Sequence, residues 1–263
     1  MATPSSSPKP TLELSLVENA RSFVIEALAK AVAAETDPVQ WKFAILHVVQ
    51  AIELSLKELL KQQHPILVYR NVDKPGDFTV TLEGALARLK HAAGFEPNSD
   101  ELKALQFAAK VRNEIVHHEF KADPAELKPA FARLFGFLAD FHRSHCDFAL
   151  DEKVPKNLWF DGVKIKEYGE ELFRRAHLRI KADEVEDRVI DCPKCGWRAL
   201  PGDGDHAERC YVCEHATALK VCDRCNIVLP AAEANEHGEM SLCYSCLEYV
   251  TDDYWHDSTK ERG

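Results

Sequence analysis

Eight of the nine cysteines in this 263-residue chain fall into four Cys-x-x-Cys pairs: Cys192/Cys195, Cys210/Cys213, Cys222/Cys225 and Cys243/Cys246. The pairs are separated by 14, 8 and 17 residues. Two thiolates two residues apart on a tight turn point at one ion, and zinc takes four such soft ligands in a tetrahedron. Four pairs therefore make two sites, and two structural zinc ions are expected. Sequential pairing, first pair with second and third with fourth, is favoured because each closes a hairpin of zinc-ribbon length. A cross-brace, first with third and second with fourth, is the alternative. His206, His215 and His237 lie in the same stretch, but eight thiolates already fill two tetrahedra. A single Cys-x-x-Cys has redox chemistry as a fair alternative, whereas four at this density read as metal binding. Closed four-thiolate sites leave no position for water, so the metal is expected to hold the fold and not to catalyse.

A second group of residues has a different chemistry. The segment Arg112-Asn113-Glu114-Ile115-Val116-His117-His118 ends a helical pattern. On a helical wheel Arg112 falls among Leu105, Ala108, Ala109, Ile115 and Val116. A cation on an apolar stripe is costly unless a carboxylate answers it. Glu53 sits similarly among Ile45, Val49, Leu56 and Leu60, so Glu53 is expected to pair with Arg112. The plainer reading is that both reach solvent or form an ordinary inter-helix salt bridge. Histidine can move protons in both directions near neutral pH because its unperturbed pKa is about 6.5. Arginine offers a fixed fork of donors to a phosphate.

The elements that must position these residues are mainly helical. Ser15 with Glu18 forms a capping-box pattern for a first helix running to about Ala33. Asp37-Pro38 opens a second, which ends near Gln63 because Pro65 follows. Thr81 is placed to cap a third helix ending at Gly94, and Ser99 a fourth extending to about His118. Asp123-Pro124 starts a fifth, with Leu127, Phe131, Leu134, Phe135, Leu138 and Phe141 facing inward. His142 and His145, beside Cys146, are expected to decorate its end, where cationic groups suit the helix dipole. Short connections make these five an antiparallel bundle. The fold class is thus mainly α, an antiparallel helical bundle followed by a small zinc-ribbon domain of β-hairpins with four-cysteine sites. The expected boundaries are a loose tail over 1–11, the bundle over 12–148, a partly helical connector over 149–187, the tandem zinc ribbons over 188–250 and a tail over 251–263.

A bundle whose fourth helix ends in Arg112-Asn113-x-x-x-His117 resembles the HEPN domain, whose signature is Arg, four to six residues, then His. The segment Ala51-Ile-Glu-Leu-Ser-Leu-Lys-Glu-Leu-Leu60 is similar to an Ala-x-Glu-Leu-x-x-Lys pattern found in one helix of many such proteins. The resemblance covers residues 12 to 145 and none of the cysteine-rich region. It implies a metal-independent endoribonuclease that works as a homodimer through the bundle and leaves 2′,3′-cyclic phosphate ends. Arg112, Asn113 and His117 would then be the site residues, with Glu53 holding the arginine. His118 allows a spacing of five and leaves open which histidine acts. Inactive members of that family bind nucleotides or partner toxins, so the second expectation is a non-catalytic adaptor.

Charge divides the chain unevenly. The net charge is -10. Lys and Arg against Asp and Glu number 17 and 19 over 1–150, 8 and 10 over 151–187, and 8 and 14 over 188–263. An acidic cysteine-rich region repels phosphate, so a protein partner is expected there and RNA at the bundle. With 46% hydrophobic and 29% charged residues, the composition is that of a soluble protein and no run is long enough to span a bilayer. The N-terminal residues have no apolar signal-peptide core after them, so a cytoplasmic protein with reduced thiols and no membrane partner is expected.

Overall fold

A computed structural model describes residues 11–117, 119–146, 148–203 and 206–258, the last seven of these in backbone only. The chain forms two compact units that divide between Pro155 and Lys156.

In the first unit, α1 (Leu16–Ala33) begins with the expected capping box: Ser15 Oγ accepts from Glu18 N at 3.2 Å, and Glu18 Oε2 accepts from Ser15 N at 2.8 Å. Helix α2 (Gln40–Gln63) starts two residues later than Pro38. Asp37 Oδ1 accepts from Val39 N at 3.2 Å and Asp37 O from Gln40 N at 2.9 Å, so Asp37-Pro38 makes a turn before the helix proper. Thr81 caps α3 (Leu82–Ala92) as expected, and Gly94 follows it with φ of +64°, a left-handed exit that glycine makes without strain. The cap of α4 (Ser99–His117) is Asn98 and not Ser99: its Oδ1 accepts from the amides of Asp100 and Glu101, both at 3.0 Å. Asp123 caps α5 (Pro124–His145), and a short α6 (Leu150–Lys153) closes the unit.

Helix α2 is the axis of this unit. It packs against α1, α3, α4 and α5, and Trp41, Ile45, Val48, Val49, Ile52, Leu56 and Leu60 on it are buried. Each such side chain removed from water contributes roughly 1.5 to 3 kcal/mol. The loop between α2 and α3 is held by Arg88 on α3, which donates to Leu67 O at 2.5 Å, Tyr69 O at 2.6 Å and Arg70 O at 3.0 Å.

The second unit starts with α7 (Lys156–Val163) and α8 (Lys166–Ala182). Seven short strands follow among the described residues: β1 (Val189–Asp191), β2 (Arg198–Pro201), β3 (Ala207–Arg209), β4 (Ala216–Val221), β5 (Val228–Pro230), β6 (Asn235–His237) and β7 (Met240–Leu242). Helix α9 (Tyr244–Ser258) ends the described chain, so the segment expected to be a tail from 251 is helical as far as Ser258. All pairings are antiparallel: β1 with β2, β3 with β4 and β4 with β5, and β6 with β7. The segment expected to be a connector over 149–187 is divided. Helix α6 belongs to the first unit, while α7 and α8 are part of the second, where they pack on each other and α8 packs on β2. No helix among the described residues is long and apolar enough to cross a membrane.

His142 does not decorate the end of α5. It is 1% exposed, its Nε2 lies 2.9 Å from Ser55 Oγ of α2, and its ring packs 5.3 Å from that of Phe148. Burial penalises the imidazolium and pushes its pKa down to about 4. Below its unfolded pKa of about 6.5 the unfolded chain takes up a proton that the folded chain refuses. Stability is therefore complete above pH 6.5 and falls as the pH drops toward 4, by roughly 3 kcal/mol in all. Denaturant titrations of wild type and His142→Gln between pH 7 and pH 4 should show this slope in the first and most of it removed in the second.

Candidate functional site

The eight thiols gather into two groups, Cys192, Cys195, Cys210 and Cys213, and Cys222, Cys225, Cys243 and Cys246. Within each group the four Sγ atoms lie within 4.8 Å of one another. Pairing is sequential; the cross-brace is not the arrangement found. Sγ atoms are 3.7 Å apart for Cys192 and Cys213, and 3.8 Å apart for Cys195 with Cys210 and for Cys225 with Cys243. A tetrahedron with metal–sulfur bonds of about 2.3 Å has edges of about 3.8 Å. A disulfide would need about 2.05 Å, and all eight of these thiols are unbridged. Each group is thus positioned for one metal ion.

Three of the four turns share one backbone design. Cys192 N donates to Trp197 O at 2.9 Å while Gly196 N donates to Cys192 O at 2.8 Å. The same two bonds recur at Cys210 with His215 and Glu214, and at Cys222 with Ile227 and Asn226. In every case the residue after the second cysteine is left-handed: Gly196 at +77°, Glu214 at +58° and Asn226 at +60°. Glycine adopts this freely and asparagine readily, but for glutamate it is sterically costly. Glu214 is partly compensated by Arg179 of α8, whose Nη1 lies 3.2 Å from its Oε1. The fourth pair departs from the design. Cys243 and Cys246 lie at the first turn of α9, where Leu247 N donates to Cys243 O at 3.0 Å, and their spacing of three puts both sulfurs on one helix face. The second site therefore joins a strand turn to a helix start. At this site the amides of Cys243 and Cys225 hold the Cys222 thiol down to about 6, while burial pushes that of Cys246 up to about 12.

The first site is clad by helices. Trp159 Nε1 of α7 donates to Cys213 O at 2.9 Å, and Phe173 of α8 stacks on Trp197 with centroids 4.6 Å apart. Arg179 donates to Tyr211 O, and Tyr211 Oη donates to Asp183 Oδ2 at 2.5 Å. The second site rests on a small cluster of Leu229 and Leu242 with Cys222 and Cys246, edged by Ala234, Leu247 and Val250.

In the bundle, Glu53 and Arg112 meet as expected. Arg112 Nη1 donates to Glu53 Oε2 at 3.2 Å, and Arg112 Nη2 approaches Asn113 Oδ1 at 3.4 Å. A third group completes the pair. Lys57, one turn along α2, places Nζ 2.7 Å from Glu53 Oε1 and 2.9 Å from Thr79 Oγ1. The side chains of Lys57 and Glu53 are 7% and 13% exposed, and that of Arg112 38%. Arg112 lies at the edge of the apolar stripe and not in its middle, because the buried residues of α4 are Ala104, Leu105, Ala108 and Val111 while Val116 is exposed. A cleft of about 240 Å³ opens here, lined by Val49, Glu53, Thr81, Glu83, Arg112 and Asn113 among others. His117 does not line it. It is exposed on the last residue of α4, about 140° round the helix from Arg112, while Asn113 shares its side one turn earlier. His118 lies outside the described residues.

Lys57 makes the two halves of the ion pair unequal. Glu53→Gln leaves two cations facing each other, one of them buried, and should cost about 2 kcal/mol, between the value for exposed pairs and that for buried ones. Arg112→Ala leaves Glu53 and Lys57 neutralising each other and should cost less. Exposed Glu152 serves as control, where the same change to Gln should stay within about 0.5 kcal/mol. Equal effects at Glu53 and Glu152 in denaturant melts would remove the network from any account of the bundle. No known family model matches this chain, and no curated protein or solved structure matches it either.

Proposed function

We propose that the chain is a metal-independent endoribonuclease of HEPN type acting as a homodimer, with a second unit organised by two structural zinc ions. The observation that carries the reading is the Glu53–Arg112–Asn113 network: a helix-borne guanidinium is held at the mouth of a cleft, one turn and a half before an exposed histidine at the helix end. Glu53 fixes the guanidinium on one side and leaves its remaining N–H groups for a phosphate oxygen. Each copy brings one His117, which lies outside that copy's own cleft, so a single copy cannot supply the pair of proton-transfer groups that RNA cleavage requires. Two copies meeting through their α4 ends would supply it.

In such a dimer one His117 takes the proton of a ribose 2′-hydroxyl, which attacks the neighbouring phosphorus. The other protonates the leaving 5′-oxygen. Arg112 stabilises the charge that builds on the phosphorane, and Asn113 orients the imidazole one turn ahead of it. The products are 2′,3′-cyclic phosphate and 5′-hydroxyl ends. Zinc fits the second unit because a closed tetrahedral set of four thiolates suits it and leaves no open position. When bound it cross-links the turns that the short strands cannot hold by themselves.

One observation favours a second reading. Glu53 and Glu83 both line the cleft, and two carboxylates beside one guanidinium weaken its attraction for phosphate. A non-catalytic adaptor, dimerising through the bundle and docking a protein at the acidic second unit, uses these features equally well.

Two measurements test these readings. Elemental analysis should return two zinc ions per chain, and a strong chelator should unfold the strands around the cysteines while α1 to α5 keep their circular dichroism, since that core is independent of the metal. Purified dimer should cut single-stranded RNA in EDTA during a brief assay, and His117→Ala should lower the rate by at least about a hundredfold with the fold intact. An RNA panel left whole, or cleavage unchanged by His117→Ala, moves the conclusion to the adaptor.

A further inference from the structure

The two cysteine groups differ in what surrounds them. In the first, Cys192, Cys210 and Cys213 are at most 1% exposed. Only Cys195 is part-exposed, and the sulfur 3.8 Å from it, that of Cys210, is buried. In the second, Cys222 and Cys246 are buried, but Cys225 is exposed and the sulfur 3.8 Å from it, that of Cys243, is part-exposed. One edge of the second tetrahedron therefore faces solvent, and none of the first does.

That edge is also held together without the metal. Asp223, beside Cys222, donates its amide to Ser241 O at 2.9 Å and accepts from Ser241 N at 2.6 Å through Oδ2, tying the turn to β7 just before Cys243. The Arg224 guanidinium, next to Cys225, lies 3.6 Å from the centroid of the Tyr249 ring on α9. A turn and a helix fastened at both sides keep the Cys225 and Cys243 sulfurs near each other when a bridging ion leaves.

We infer that the second site is a peroxide-responsive, reversible zinc site whose reacting edge is Cys225 and Cys243, while the first site is inert. The inference rests on the zinc reading above. The Cys225 thiolate attacks a hydroperoxide oxygen, the O–O bond breaks, and a sulfenic acid forms as hydroxide or alkoxide departs. The Cys243 thiolate attacks that sulfur, an S–S bond forms and hydroxide leaves, so two thiolates have given two electrons to one peroxide. Cys222 and Cys246 remain as two ligands of four, and the ion dissociates. A dithiol reductant with zinc reverses the change.

The test uses the full chain. Zinc content is measured first, and a value other than two per chain overturns the metal reading itself. Dilute hydrogen peroxide is then added with a chromogenic chelator. One equivalent should be released at least about tenfold faster than the other, since oxidation follows thiolate exposure. Peptide mapping without reduction should find Cys225 joined to Cys243 and the first four thiols unmodified, with reductant and zinc restoring the starting protein. Release of both equivalents together, oxidation beginning among Cys192, Cys195, Cys210 and Cys213, or a zinc loss that reductant cannot reverse would each overturn the inference while leaving two zinc sites in place.

Discussion

The enclosure of α2 is the constraint from which the first unit follows. A helix packed by four others is buried over most of its middle turns, so a charge placed there, unlike Lys61 at its exposed end, needs a partner close by. Glu53 and Lys57 answer each other within the helix, and Arg112 of α4 and Thr79 of the loop complete the set. The network places α4 against α2, and with it the Arg112–Asn113 end of α4 at the cleft. Ser55 and His142 follow the same logic with neutral groups. That is why the imidazole is kept uncharged and why acid should loosen the bundle as the pH falls below about 6.5 toward 4.

The second unit solves a different problem. Most of its strands are three residues long, too short to stabilise a sheet on their own. At the strand ends lie the two four-cysteine groups positioned for metal ions, and α7 and α8 support the first of them. Trp159, Phe173 and Arg179 reach the turns carrying Cys213, Trp197 and Tyr211, so that site has an apolar and hydrogen-bonded support besides its ligands. Strand β4 pairs with β3 along its first half and with β5 along its second, running from the turn of one site to that of the next. The second site rests on the small cluster of Leu229 and Leu242. The difference in burial of their thiols is a consequence of where the helices pack.

The chemistry proposed for the bundle depends on a division of labour along α4. Arg112 faces the cleft and is anchored; His117 faces solvent and is not. Arginine positions a phosphate only if its own orientation is fixed, which Glu53 does. A histidine that must meet a second histidine across a two-fold axis has to be left accessible. Both demands are compatible with one helix because five residues carry a side chain more than a third of the way round it.

Much of this is legible in the chain. Cap residues at Ser15, Thr81 and Asp123 mark helix starts because each satisfies orphan amides locally, and the four cysteine pairs define the metal groups because ligand spacing is a local property. Charge on apolar stripes is enough to pair Glu53 with Arg112. Lys57 is in plain view at i+4 from Glu53 but cannot be assigned without knowing that Thr79 lies opposite it. The start of α2 and the cap of α4 differ from expectation by one or two residues, since Asp37 and Asn98 compete with their neighbours for the same amides. His142 points inward because it continues the buried face of Phe135 and Leu138 on α5 while Arg143 and Ser144 after it are exposed, which a count of polar residues at the helix end does not reveal. Sequence thus determined the five bundle helices, the two cysteine groups and the charges needing answers, but not α9, which runs into the segment expected to be a tail. Only tertiary structure decided that α7 and α8 join the cysteine-rich unit, that Cys225 and Cys243 face solvent while Cys192 and Cys213 do not, and that His117 lies outside the Arg112 cleft, because burial is a property of what packs on a residue from elsewhere in the chain.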